Sequence, residues 1–241
     1  MLQRLAERIR SRREARGLKQ QDIANALNVS PQAVSKWERG ENAPDILLLP
    51  PLARLLDVSI DWLLSAQDEG RDVFEATVFV SGIDGAFRRS LDMDSRDYAT
   101  WLNGMFFALT EATQAQGGVP IKYVGDGYLC FFSGADHRER AVESAVRAAE
   151  IVNEDLKIGL SCGEIFLGSV GHPEYARPDV MGQVVNVAFL TMEWAQANTE
   201  SGIAATSAVV DGLAGRVRLG KKEDVHFRNT PRPCTVCEIR R

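Results

Sequence analysis

Residues 121–132 read IKYVGDGYLCFF, two apolar runs on either side of Gly125-Asp126-Gly127. Isoleucine, tyrosine, valine, leucine and phenylalanine suit a pleated, half-buried surface, and a glycine-flanked aspartate suits a tight turn. The segment therefore predicts a β-hairpin with Asp126 at its tip. Upstream, VFVSGIDGAF (78–87) predicts an apolar strand running out into a glycine-rich turn. A carboxylate at a hairpin tip near a glycine loop is what a metal-dependent phosphate site needs, but such a site needs two acids. The reading of the chain turns on where the second one is.

Around this hairpin, from Val73 onward, strands and helices alternate. FEATVFV predicts a strand, about Tyr98 to Gln116 a helix, and Asp136 to Asn153 another. In the latter, Asp136 followed by Glu139 reads as a capping box opening the apolar series Ala141, Val142, Ala145, Val146, Ala149 and Val152. LKIGLSCGEIFLGSV (156–170) reads as a second hairpin, about 183–197 as a third helix, and CTVCEI (234–239) as the closing strand. Helices packed on an antiparallel or mixed sheet make this an α+β domain. Residues 1–66 read as helices throughout, with Leu2, Leu5 and Ile9 at helical spacing. The polar stretch SAQDEGRD (65–72) marks the boundary, giving an all-α domain at 1–66, a linker at 67–72 and the α+β domain at 73–241.

The chain has 241 residues, 45% hydrophobic and 25% charged, enough to bury a core without staples. Four cysteines without dense, even spacing argue against a disulfide scaffold and fit a reducing compartment. The opening MLQRLAERIRSRREARG lacks the apolar centre of a secretory signal, and ILLLPPLARLL is interrupted by Pro50, Pro51 and Arg54. A cytoplasmic protein with no membrane partner is the expectation. Charge is unevenly placed: residues 1–40 hold 9 Lys or Arg against 4 Asp or Glu, +5, which leaves −10 of the net −5 for the remainder. A basic head on an acidic body is the electrostatic footprint of a nucleic-acid reader joined to something else.

Within the head, QQDIANALNVSPQAVSKWERG (20–40) has the parts of a helix-turn-helix. Ala24 is small where two helices cross, Asn28 tolerates a left-handed turn, and Val34 points inward. Ser30 caps the second helix, Pro31 suits its first turn, and Trp37 belongs to the core. Residues 2–66, including SPQAVSKWERG and PDILLLPPLARLLDVSIDWLL, resemble the phage-repressor and Cro-like (XRE) family. The resemblance implies that the second helix enters the major groove of double-stranded DNA, with Gln32, Ser35 and Lys36 on base edges and Gln20 and Asn42 on phosphates.

The body resembles the catalytic domain of class III nucleotidyl cyclases, a ferredoxin-like fold, through KYVGDG, GLSCGEIFLGSVG and DVMGQVVNVAFL in order. Active members hold two Mg2+ ions with two aspartates. Asp126 matches one; the other position is Gly82, so the partner acid is absent. Asp84 is two residues away, ~6–7 Å along an extended chain, too far for an ion with ~2.1 Å bonds. The asparagine of the family's late helix is Asn186, while the transition-state arginine four residues on is Leu190. Losing such an arginine costs on the order of 10³–10⁵ in rate. Lys122 and Asp179 match the pair that reads adenine.

The two resemblances together imply a transcription regulator, a homodimer paired head to tail through its cyclase-like domain as members of that family are, that binds an inverted-repeat operator. Its degenerate cleft, holding nucleotide through Lys122, Asp179 and Asn186, senses a linear or cyclic nucleotide or dinucleotide, with or without Mg2+ at Asp126, and requires no other cofactor. The rival readings are an active cyclase with a DNA-binding head, and a body that serves only as a dimerisation handle. Locally, Asp126 also fits plain turn chemistry, Lys122 an exposed strand lysine, and Asp179 and Asn186 helix caps. Cys234 and Cys237, three apart on a strand, point to opposite faces, and His137, His172 and His226 show no ligand spacing and read as surface or loop residues.

Overall fold

A computed structural model of the chain describes residues 2–64, 72–172, 175–213, 215–227, 230 and 232–240. The linker expected at 67–72 lies, apart from Asp72, outside the described residues.

Among the described residues the head has five α-helices, α1 Leu2–Ala15, α2 Gln20–Leu27, α3 Pro31–Glu38, α4 Leu49–Leu56 and α5 Ile60–Leu64, with a 3-10 turn at Ile46–Leu48 before α4. Its turn is built as the residue types require. Asn28 closes α2 in the left-handed region at φ 53°, its N–H returning to the carbonyls of Ala24 and Asn25. Two residues later the Ser30 hydroxyl accepts from the Ala33 N–H at 3.1 Å, and Pro31 opens α3. Ala24 and Val34 are buried between the helices, and Trp37 joins Ile9, Ile23, Leu52 and Leu56 in the head's core. Below this core a charged network is also buried. Arg13 grips Glu38 with two nitrogens, Nε to Oε1 at 2.6 Å and Nη2 to Oε2 at 3.0 Å, and Gln20 donates to the same carboxylate at 2.7 Å.

The body contains β1 Val73–Ile83, α6 Ala86–Asp92, α7 Ser95–Gln114, β2 Val119–Val124, β3 Gly127–Ser133, α8 His137–Ile151, β4 Leu156–Val170, β5 Arg177–Met181, α9 Gln183–Asn198, β6 Ile203–Thr206, α10 Ser207–Val210, β7 Arg218–Val225 and β8 Cys234–Arg240. The strands form one sheet in the order β2-β3-β1-β4-β6-β8-β7, with β5 paired to the far end of β4. Only β4 and β6 run parallel among the described pairs. Alternation along β1 sends Phe79 and Ile83 to the face covered by α7 and α8, and Ala76, Val78 and Val80 to the face covered by α9.

Three expectations fail here. Residues 156–170 are not a hairpin but one continuous strand, β4, because β1 pairs with it from Leu156 to Phe166 and β5 takes over from there to Val170. Within it Gly159 serves close approach. A Cβ on Gly159 would lie 2.2 Å from the Ala188 carbonyl oxygen and 2.4 Å from the Met192 nitrogen, so α9 seats its backbone directly on β4 there. The capping box at Asp136 and Glu139 is also absent. Asp136 enters α8 at φ 54°, in the left-handed region, and its side chain caps no amide; Glu139 pairs with Arg216 at 2.7 Å. His137 opens α8 half-buried, its Nδ1 hydrogen-bonded to the Thr77 hydroxyl at 2.9 Å, and so is not a surface or loop residue. Cys237 lies in the α7–α8 core and Cys234 beside the cluster on the other face, both free thiols.

Candidate functional site

The turn between β2 and β3 brings Asp126 to the end of β1, where its Oδ2 accepts the Ile83 N–H at 2.9 Å. Directly opposite is Gly82. A Cβ built on Gly82 would stand 3.6 Å from Asp126 Oδ2, 3.5 Å from Met192 Sδ and 3.6 Å from Met192 Cε. An acid at position 82 would thus face Asp126, as the resemblance to the cyclases implies for their two aspartates. The space holds glycine and a thioether instead. Asp84 does not substitute: its carboxylate accepts from Gln196 of α9 at 3.2 Å, and its N–H bonds the Asp155 carbonyl at 2.9 Å. Mg2+ needs an octahedron of oxygens, and one carboxylate already bonded to a backbone amide, beside a methionine sulfur, does not fit a pair of such ions.

Lys122 on β2 and Asp179 on β5 meet although 57 residues separate them, Nζ to Oδ2 at 2.6 Å. Pairing of β5 with β4, Asp179 opposite Gly168, carries the carboxylate to the hairpin. The second oxygen of Asp179 accepts the Val180 N–H at 2.8 Å. The lysine side chain is 42% exposed and the aspartate 20%, so the pair sits at a rim that solvent or a ligand can reach. Asn186 is exposed in the first turn of α9. Leu190, one turn further, packs toward Trp194, Ala195, Ala204, Phe227 and Val236, an apolar setting with no use for a guanidinium. A 620 Å3 cleft between β4, β5 and the starts of α9 and α10 contains none of these residues.

In the head, Gln32, Lys36 and Asn42 converge on a shallow 360 Å3 pocket together with Ser30, Ala33, Trp37 and Ala43. Gln32 and Lys36 are exposed, four residues apart on the face of α3 away from Val34. Ser35 is not in that pocket; its hydroxyl is taken by Arg39, which also pairs with Glu41 at 2.6 Å. Gln20 spends one amide hydrogen on Glu38, so it is tied into the head's interior as well as lying at the start of α2. Sequence reasoning missed Met192, the direct Lys122–Asp179 pairing and the Arg13–Glu38–Gln20 network. The i, i+3 and i+4 pattern of α9 gave a signal for the first only once Gly159 was known to admit the helix.

Residues 71–233, more than half of the chain, match the adenylate and guanylate cyclase catalytic domain family. The chain belongs to that family. Residues 9–63 match the helix-turn-helix family, so a helix-turn-helix head precedes the cyclase domain. The cyclase domain is similar to the guanylyl cyclase Cya2, with a TM-score of 0.63 at 21% identity over 70% of this chain and 92% of that one. It is similar also to the adenylyl cyclase CyaB from P. aeruginosa, TM-score 0.58 at 19% identity, over 70% and 95% of the two chains. At these identities the likeness establishes the fold. The head is 37% identical over 65 residues to the HTH-type transcriptional regulator DicA of Escherichia coli (strain K12), 27% of this chain and 48% of that one. It is 36% identical over 62 residues to the HTH-type transcriptional activator BcrR of Enterococcus faecalis, 26% and 30% of the two. The chain thus spans less than half the length of each of these two regulators. No described helix is long and apolar enough to cross a membrane.

Proposed function

We propose that the protein is a dimeric, DNA-binding transcription regulator whose cyclase domain binds an adenine nucleotide, linear or cyclic, as an effector and does not cyclise it. One observation carries the reading: the position facing Asp126 is Gly82, which has no carboxylate to offer, and its other near neighbour is the Met192 thioether. Leu190 in an apolar cluster supports it, because no arginine is left at that position to take up charge on phosphate. Loss of that group alone raises the barrier by about 4–7 kcal/mol.

Base recognition keeps its chemistry. When the Lys122–Asp179 pair opens, the ammonium donates to a ring nitrogen of adenine and the carboxylate accepts from its exocyclic amine. The α3 face carrying Gln32 and Lys36 reads base edges, and a second copy, joined through the cyclase domains, supplies the second head. A twofold dimer then selects an inverted repeat with half-sites about 34 Å apart or a multiple of that. The effector shifts DNA affinity only by its difference in affinity between the two dimer arrangements.

The test combines two measurements on the full chain. Calorimetric titration with ATP and cyclic AMP reads binding, and incubation with ATP or GTP plus Mg2+ or Mn2+ followed by product analysis reads cyclisation. Binding without product is expected. Cyclic product well above background and abolished by Asp126→Ala would return the protein to the enzymes; a flat titration with every nucleotide would leave the domain as a dimerisation handle.

A further inference from the structure

On the face of the sheet opposite α9, three side chains of metal-binding type converge away from the nucleotide site. They come from three elements: Glu75 from β1, Cys162 from β4, and His137 from the first turn of α8. Their donor atoms all lie within 4.8 Å of one another, and Cys162 Sγ is 3.5 Å from Glu75 Oε1. Register explains the convergence. Thr77 is directly opposite Cys162, and Glu75 lies two residues before it on the same face, while α8 starts above them.

We propose that Glu75, His137 and Cys162 form a binding site for Zn2+. The donor set is one thiolate, one imidazole and one carboxylate, the borderline mixture that this ion accepts, and three protein ligands leave the fourth tetrahedral position to water. Tetrahedral bonds of 2.0–2.3 Å place ligand atoms about 3.3–3.8 Å apart, so the cluster needs to contract by at most about 1 Å. Glu75 is exposed and supplies that movement. Behind the ligands, the fully buried Thr77 hydroxyl holds His137 Nδ1 at 2.9 Å and fixes the ring, as a supporting shell does at metal centres. Arg138 now pairs with Glu75 at 2.6 Å, so a cation already sits where positive charge is wanted. Zinc displaces it, and binding releases the Cys162 thiol proton to solvent: two ligand negative charges then balance Zn2+. The ion would fasten the start of α8 to the two central strands.

Cobalt(II) titration of the reduced full chain tests this, because Co2+ on a thiolate gives a near-ultraviolet charge-transfer band and strong visible bands when tetrahedral. One equivalent is expected to bind, Zn2+ to erase the bands, and Cys162→Ser to remove the charge-transfer band with unchanged circular dichroism. Glu75→Gln, at an exposed position where folding is safe, is expected to weaken binding at least about tenfold. Arg138→Gln, which removes the competing cation, is expected to tighten it severalfold. No cobalt bands at equimolar metal, or bands that persist in Cys162→Ser or at full strength in Glu75→Gln, would overturn the proposal.

Discussion

Lys122 and Asp179 form an ion pair 2.6 Å apart, at a half-open rim, and each is the other's partner before any ligand arrives. An exposed pair of this kind contributes about 0–1 kcal/mol to stability, so its loss is tolerable to the fold. Lys122→Ala is therefore expected to leave the melting temperature within a degree or two of wild type while weakening adenine nucleotide binding by about tenfold or more, one to two hydrogen bonds to charged groups. Paired melting and calorimetric measurements check this. An unaltered Kd would remove Lys122 from the site.

Gly82→Asp is sterically mild, since a Cβ there meets only ordinary van der Waals neighbours at 3.5–3.6 Å. Electrostatically it is not mild, because it sets a second carboxylate opposite Asp126. Without metal the variant is expected to lose ~1–3 kcal/mol at pH 7 and to recover it when Mn2+ is added, whereas wild type ignores Mn2+. Thermal shift with and without the ion measures both. Equal Mn2+ stabilisation of the wild type, undiminished in Cys162→Ser, would mean that the native residues beside Gly82 and Asp126 hold a divalent ion after all.

The buried carboxylate of Glu38 in the head is matched by the two-nitrogen grip of Arg13, their side chains 3% and 12% exposed. Removing one member of a buried pair leaves an uncompensated charge. Glu38→Ala should cost the head roughly 3–5 kcal/mol and abolish DNA binding through unfolding, while Lys36→Ala leaves folding intact and weakens DNA binding with a smaller salt slope. Circular dichroism separates the two, since only the first variant loses helix at room temperature.

Glu238 on β8 gives the cyclase domain a pH limit. Burial alone would push its carboxyl up, but the N–H groups of Ser201, Glu200 and Lys221, with Arg240, outweigh that and hold it below the ordinary carboxylate range. A depressed native pKa means stability that is complete above the unfolded value, about 4.3, and is lost as pH falls through the native one. Acid unfolding below about pH 4 is expected to be flatter in Glu238→Gln than in wild type, with a loss of about 1–3 kcal/mol at pH 7. Chemical denaturation across pH would show it, and parallel curves for the two proteins would exclude Glu238 as the cause.

The sequence is most legible where one residue type answers one local need. Asn28 in a left-handed turn, Ser30 capping α3, Asp126 at a hairpin tip and the alternation of β1 all follow from short-range backbone chemistry, which sequence spacing records directly. The absence of an acid at Gly82 and of an arginine at Leu190 is likewise written in the chain itself. The hairpin expected at 156–170 is the least legible part: Gly159 is the place where α9 lies on β4, a contact made with a helix more than twenty residues away. Asp136 failed for a related reason, since a capping box needs extended backbone at the cap and the approach to α8 from β3 set it left-handed instead. What only tertiary structure decided is which distant side chains meet: Met192 over Gly82, Lys122 with Asp179, Arg13 with Glu38, and Glu75, His137 and Cys162 on one face. Those meetings depend on strand order and helix seating, which no local pattern encodes.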